Sequence, residues 1–385
     1  MFSLSGKQSG GVIAVADVGS GSVGVAIVRV ERGRTHVLVT ERAELPNEKR
    51  PDAATVASIT SLLTETARKA LDAYSKDAKN ERHVSKTYAI IHAPWTRSKT
   101  VRAATEFPKE TRVEKKMIAA LAKQALQAET EYNREKILEA SVVRVQLNGY
   151  ATKEPVGKTA KRIEVFTLIS ECEPSIKNSI SDALVKSFAC PPATLRSDTR
   201  ALLFVLREDP TLPKETLVVN MTSEATNMIV MRKGVVTDAT LAQEGSNPIV
   251  RRIAGTMMPE ETLSLIRLLI LDQCEAEACK EIQERMAKTE PELVKTFGEA
   301  LSTLSASRRL PNTLELLTHE DLAPWLSRLF SRIDFAQFTV TTRPFSPNTL
   351  TLKDLSETIT FEEHVQPDLG LGMGAALVNM EEQAA

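Results

Sequence analysis

The stretch Val12 to Val30, VIAVADVGSGSVGVAIVRV, constrains the fold more than any other part of this 385-residue chain. Two runs of β-branched and small apolar residues flank Asp17, Gly19, Ser20, Gly21 and Ser22, the pattern of a buried strand, a tight glycine turn and a second strand. The tip of such a hairpin has its own chemistry. Glycines let backbone N–H groups approach an anion, serines add donors, and a carboxylate ending the first strand can hold a metal through water. An ordinary hairpin whose glycines only satisfy turn geometry looks the same, so the stretch leaves both readings open.

Bulk properties narrow the classes. An apolar fraction of 42% over this length fits a globular protein with room for two cores. Lys and Arg, 49 in all, nearly cancel 50 Asp and Glu, so the chain has no basic footprint for nucleic acid. Cys172, Cys190, Cys274 and Cys279 lack metal-ligand spacing and read as reduced thiols of a cytoplasmic protein. The start MFSLSGKQSGG has no signal-peptide core, and no apolar run approaches the ~18 residues that span a bilayer.

Along the chain, Arg34 to Ala43 extends the hairpin to a meander, and Pro51 to Tyr74 carries an apolar helical stripe. Lys86 to His92 is a buried strand, with His92 read as packing. Trp95 to Phe107 suggests a short strand pair, Arg112 to Thr130 a helix, Ile137 to Tyr150 and Lys161 to Ser170 further strands, and Glu173 to Phe188 a helix. The cluster Lys109, Arg112, Lys115 and Lys116 reads as a solvated helix face. Thr216 to Asp238 repeats the opening architecture, which suggests two halves related by duplication. Pro259 to Arg309 is helical with a break at Pro291; Glu315 to Phe330 then suggests a helix capped by His319, Glu320 and Asp321. Short strands over Gln337 to Thr342 and Asp354 to Thr360 and a helix over Asp368 to Met380 close the chain.

These motifs resemble the actin and heat-shock-ATPase superfamily, and within it the bacterial FtsA and PilM branch. Asp17, Gly19 and Ser20 match the superfamily's first phosphate loop. Tyr150, Pro155 to Gly157 and Arg162 to Val165 resemble the end of the FtsA inserted subdomain, and the Met1-Phe2 opening is similar to PilM-like chains. The resemblance implies an α/β, two-domain actin-like fold, a duplicated ribonuclease H-like core with a small inserted α/β subdomain. The implied limits are residues 1–86 with 182–213, an insertion over 87–181, a second domain of 214–255 with 311–385, and a helical insertion over 256–310.

The departures are equally specific. The second phosphate loop, normally Asp-hydrophobic-Gly-Gly-Gly-Thr-Thr, reads Asn220, Met221, Thr222, Ser223, Glu224, Ala225, Thr226, and only Gly245 survives of the Gly-Gly beyond it. The adenosine motif falls on Leu317 to Leu322, where Thr318 alone matches. Losing the glycines closes such a pocket sterically, and Glu224 sets a negative charge near a phosphate position. ATP would meet Asp17, Gly19, Ser20, Gly21, Ser22, Asn220, Thr222, Ser223, Thr226, Gly245 and Thr318, with Mg²⁺ facing Asp17, but these motifs imply weak or lost binding.

The expected function is therefore a cytoplasmic scaffold or adaptor in cell division or pilus assembly. Protein partners would recruit it to the inner membrane, and it would self-associate through the inserted subdomain. An active ATPase that uses Thr222, Ser223 and Thr226 as phosphate donors is the alternative. A sugar kinase of the same superfamily would need an acid and a sugar pocket for which no motif is present. The ending Met380-Glu-Glu-Gln-Ala-Ala lacks the basic amphipathic helix of a membrane anchor.

Overall fold

The structure, a computed structural model, describes residues 11–31, 33–76, 83–208, 214–274 and 277–384. The Met1-Phe2 opening lies outside them. Three sheets organise the described residues. Strands β1 (Val12–Val18), β2 (Ser22–Glu31), β3 (Arg34–Glu44), β4 (Lys86–Ile91), β9 (Thr194–Ser197) and β15 (Ile359–Phe361) form the first, in the order β15-β3-β2-β1-β4-β9. The hairpin pairs Val12 with Arg29 through Val18 with Val23, and β4 joins β1 in parallel.

Both faces of this sheet are covered, which is why β1 and β2 read as continuous apolar runs. On one face lie α1 (Asp52–Ser75) and α3 (Pro174–Phe188), with Ile59, Leu63, Ala67, Ile180 and Leu184 against Val23, Val25 and Ile27. On the other lie α4 (Asp198–Glu208) and α9 (Leu369–Ala384), with Leu202, Leu371 and Leu377 against Val15, Ala26 and Val28.

Strands β10 (Glu215–Met221), β11 (Thr226–Arg232), β12 (Val235–Ala242), β13 (Thr313–Leu317) and β14 (Ser346–Thr349) make the second sheet, in the order β12-β11-β10-β13-β14. It repeats the first: an antiparallel hairpin joined by a parallel strand, here β13 beside β10. Helices α5 (Ser246–Ala254), α6 (Pro259–Ile270), α7 (Glu277–Ser305) and α8 (Ala323–Phe330) cover it, with Phe297, Phe330 and Phe335 stacked at centroid distances of 5.2 and 5.7 Å. The third sheet, β5-β8-β6-β7, consists of β5 (Thr96–Arg112), β8 (Thr159–Cys172), β6 (Ile137–Leu147) and β7 (Tyr150–Thr152), with α2 (Lys115–Ala128) packed on β5 and β8.

Several sequence expectations need correction. Trp95 to Phe107 is no strand pair: β5 runs unbroken from Thr96 to Arg112, because β8 pairs with it along most of its length. Pro291 does not break α7; the buried stripe of Ile282, Met286, Leu293, Phe297 and Leu301 carries the helix across the missing N–H. Glu315 lies in strand β13 rather than a helix, since parallel pairing with β10 overrides its local pattern. Asp321 does not cap α8; its carboxylate takes two 2.8 Å hydrogen bonds from Arg267 of α6. Gln337 lies in a 3-10 turn over Ile333–Phe338, and no strand covers Gln337 to Thr342. Cys274 and Cys279, expected as reduced thiols, are joined as a disulfide between α6 and α7. Finally, β15 pairs with β3 and α9 packs on β1, β2 and β3, so the last elements lie on the first sheet although the sequence grouped 311–385 with the second.

Candidate functional site

In parallel α/β sheets, ligand-facing groups collect at the carboxyl ends of the strands. The sequence-derived candidates all fall at such ends. Asp17 sits near the end of β1 and Asn220 near the end of β10, each followed by a polar hairpin tip, and Thr318 follows β13 with its hydroxyl 3.3 Å from Met221 Sδ. The first tip closes through Gly19 N–H to Ser22 O at 3.0 Å, the second through Thr222 N–H to Ala225 O at 2.8 Å.

The two tips touch. A Cβ built on Gly21 would lie 2.4 Å from Ser223 Oγ and 2.5 Å from Ser223 Cβ, so only glycine admits the second tip this closely. Thr222 Oγ1 lies 3.0 Å from Ala93 O, beyond β4, which ties the second tip to the first sheet. Thr226 Oγ1 donates to Glu244 O at 2.6 Å, and Gly245 leads into α5. Glu224, expected to repel a phosphate, is instead neutralised by Arg251 at 3.0 Å, and Arg251 also reaches Asn47 at 2.8 Å. Ser22 Oγ accepts from Arg42 at 3.2 Å, while the buried Ser20 hydroxyl has no partner among the described residues.

Asp17 is the centre of a buried ion network that the sequence did not reveal. Its Oδ2 accepts from Arg42 at 2.7 Å, and its Oδ1 meets His92 Nε2 in a short contact. Arg42 also grips Asp368 at 2.5 and 2.9 Å, and Asp368 accepts from Leu371 N–H at 2.9 Å, capping α9. His92 turns its Nδ1 toward Asp198 Oδ2, 3.7 Å away. Asp198 in turn accepts from Asn220 Nδ2 at 2.8 Å and from Thr199 N–H at 2.6 Å. The reading of His92 as packing is therefore corrected: it bridges two carboxylates, one of which is bonded across to the second sheet.

The electrostatics follow. Burial opposes the charged forms of Asp17, Arg42, His92 and Asp198. At Asp17 the His92 and Arg42 cations outweigh it, holding the carboxyl well below its usual range. At His92, Asp17 and Asp198 outweigh it and push the imidazole up to about 9. Asp198, reached less closely by a cation, is shifted upward by burial. Both Asp17 oxygens thus face cations supplied by the chain, and Gly370 in the first turn of α9 closes the remaining side: a Cβ there would fall 2.7 Å from Asp17 Oδ2. Among the described residues, no group of three or more His, Cys, Asp or Glu converges as a metal site.

No family model matches the sequence, and no curated protein matches it. Solved structures do match. A chain of the PilM-PilN type IV pilus biogenesis complex overlaps 95% of this chain and 98% of its own length at 13% identity and a TM-score of 0.54. The ethanolamine utilization protein EutJ of Carboxydothermus hydrogenoformans overlaps 94% of this chain and 88% of its own at 11% identity, TM-score 0.42. A Bacteroides thetaiotaomicron protein with an actin-like ATPase fold and unknown function overlaps 98% and 99% at 10% identity, TM-score 0.35. The fold is actin-like, as the sequence resemblance implied. At these identities the likeness carries the fold alone.

Proposed function

We propose that this chain is a PilM-like adaptor of pilus assembly, built on an actin-like frame whose nucleotide cleft has been converted into an internal latch. One observation carries the reading: where a nucleotide's phosphates and Mg²⁺ would sit between the hairpins, Gly21 meets Ser223 and Asp17 is held by Arg42 and His92. The residues present do not fit Mg-ATP in this arrangement. A metal-facing carboxylate needs a free oxygen, and phosphates need space between the tips.

The adaptor role is supported by the overlap with a chain of the PilM-PilN complex along nearly its full length. Partners of a pilus apparatus, self-association through the third sheet, and recruitment to the inner membrane from the cytoplasm belong to this proposal. No helix of the described residues is long and apolar enough to cross a membrane. Calorimetric titration with Mg-ATP tests the latch: no heat at millimolar nucleotide is expected, and micromolar binding overturns it. Affinity capture from native cells tests the adaptor role, with pilus-assembly proteins expected and division proteins alone refuting it.

A second reading has one observation in its favour. The Ser20 hydroxyl is buried at the first tip without a partner among the described residues, and an incoming anion would satisfy it. Micromolar Mg-ATP binding that Ser20→Ala weakens would establish that reading.

A further inference from the structure

The outer end of the third sheet takes no part in the cleft. From Cys172, in the core of the first layer, β8 reaches back 14 residues to Thr159. At ~3.3 Å per residue that places its far end roughly 40 Å away. Three connections meet there. Arg112 at the end of β5 pairs with Thr159, Gly157 N–H donates to Val113 O, and Val113 N–H donates to Lys158 O. Asn148 Oδ1, in the β6–β7 turn, accepts from the N–H groups of Lys161 and Arg162 at 2.9 and 3.0 Å, and Lys158 Nζ reaches Thr152 at 2.9 Å.

This end bears two features that its own packing does not require. Tyr150 is 80% exposed and Val156 55% exposed, each beside a turn that backbone hydrogen bonds hold in place. Around them, segments 106–116 and 148–162 carry eight Lys and Arg against four Glu, in a chain whose net charge is −1. The rest of the molecule is therefore net acidic. Two of the glutamates pair with Arg162 and Lys116 at 3.0 and 2.8 Å, but these pairs are solvent-exposed and water weakens them.

We propose that this tip is a peripheral docking point for an anionic lipid surface. Tyr150 and Val156 enter the headgroup layer while Arg112, Lys158 and Lys161 face lipid phosphates. Charge complementarity selects an anionic partner, and shape selects lipid over protein. Two apolar side chains on separate turns of a rounded end provide no continuous face to seal a protein interface, which needs about 800 Å² a side. A lipid surface accepts isolated apolar points, a tyrosine suits its interfacial depth, and lysines reach its phosphates. The proposal does not depend on the state of the cleft.

Flotation of the whole chain with phosphatidylcholine vesicles, with and without about one third phosphatidylglycerol, tests it. Recovery with the phosphatidylglycerol vesicles alone is expected, and about 0.5 M salt should abolish it. Each cation near the surface contributes about fivefold, so K158E/K161E should lower partitioning at least tenfold, and Y150S/V156S severalfold, with unchanged circular dichroism. Flotation that ignores phosphatidylglycerol, or that these variants leave intact, overturns the proposal. So does salt-sensitive self-association that K158E/K161E abolishes in a chain that never floats, which would assign the tip to a second copy.

Discussion

Replacing His92 with glutamine tests the buried network that joins the two hairpins, because a glutamine amide can donate to Asp17 from the position of His92 Nε2 but never carries a charge. In the folded chain burial opposes the imidazolium, yet Asp17 and Asp198 raise its pKa from 6.5 to about 9. A group whose pKa rises on folding stabilises the fold fully below its unfolded value, and that contribution disappears as pH climbs through the folded value. The window is therefore pH 6.5 to about 9. At about 1.4 kcal/mol per unit, the shift amounts to about 3 kcal/mol. Asp17 reports the same interaction from the acid side: its depressed pKa stabilises the fold above the unfolded value of 3.8 and fails only as pH falls below it, so the pair is counted once. Urea unfolding can be followed through Trp95, whose N–H donates to His92 O at 3.1 Å. Between about pH 6 and about pH 9.5 the native chain should lose about 3 kcal/mol more than His92→Gln. Equal losses in the two proteins would refute the assignment of His92 as a buried cation.

Other perturbations address the neighbouring contacts. Gly21→Ala places a Cβ 2.4 Å from Ser223 Oγ and should lower the melting temperature by several degrees, whereas the double variant with Ser223→Gly should recover most of that loss. A double variant as unstable as the single one would show that the tips do not touch. Gly370→Ala brings a methyl within 2.7 Å of Asp17 Oδ2 and should cost about 1–3 kcal/mol in urea unfolding; a neutral result would detach α9 from the network. Burial pushes the Cys172 thiol up to about 12, so native iodoacetamide treatment near neutral pH should leave it unmodified by mass spectrometry, and denaturation should expose it.

How much of this was legible depends on how far apart in sequence the interacting residues stand. The paired hairpins were readable because each is local: a buried strand, a polar turn and a returning strand within about twenty residues. Asp17, Asn220, Thr222 and Ser223 could therefore be placed at the ends and tips of the two hairpins. Arg42, His92, Asp198 and Asp368 could not, because nothing local joins them; parallel pairing of β1 with β4 brings His92 to the end of β1, and β9 delivers Asp198 beside it. Weak local signals did exist. Asp198 and Asp368 each stand at the start of a helix, as capping residues do, and Arg42 is a charge within the strand pattern of β3. Those signals identify helix starts and a strand edge, but they do not reveal that the groups converge. The strand misread as a helix at Glu315 has the same cause, since its state is set by β10, about a hundred residues earlier in the chain.

The eroded loop also gains a physical account that composition alone could not supply. In the proposed latch the residue at position 220 is an amide that donates to Asp198, where the resemblance would place a carboxylate. Three carboxylates, Asp17, Asp198 and Asp368, would then remain near the cleft without compensation. Arg42 and His92 supply the two positive charges that offset them, at fixed positions and on the same chain. Burying anions without partners is costly, so these two cations are what lets the cleft close over its carboxylates. It follows that restoring Asp at position 220 alone should destabilise the fold rather than restore a site. Asn220→Asp would set a carboxylate 2.8 Å from Asp198 with no cation between them. Its unfolding midpoint should fall near neutral pH and recover as acid protonates the pair; if it instead recovers on adding Mg²⁺, the cleft still accepts the ion and the latch is not its native state.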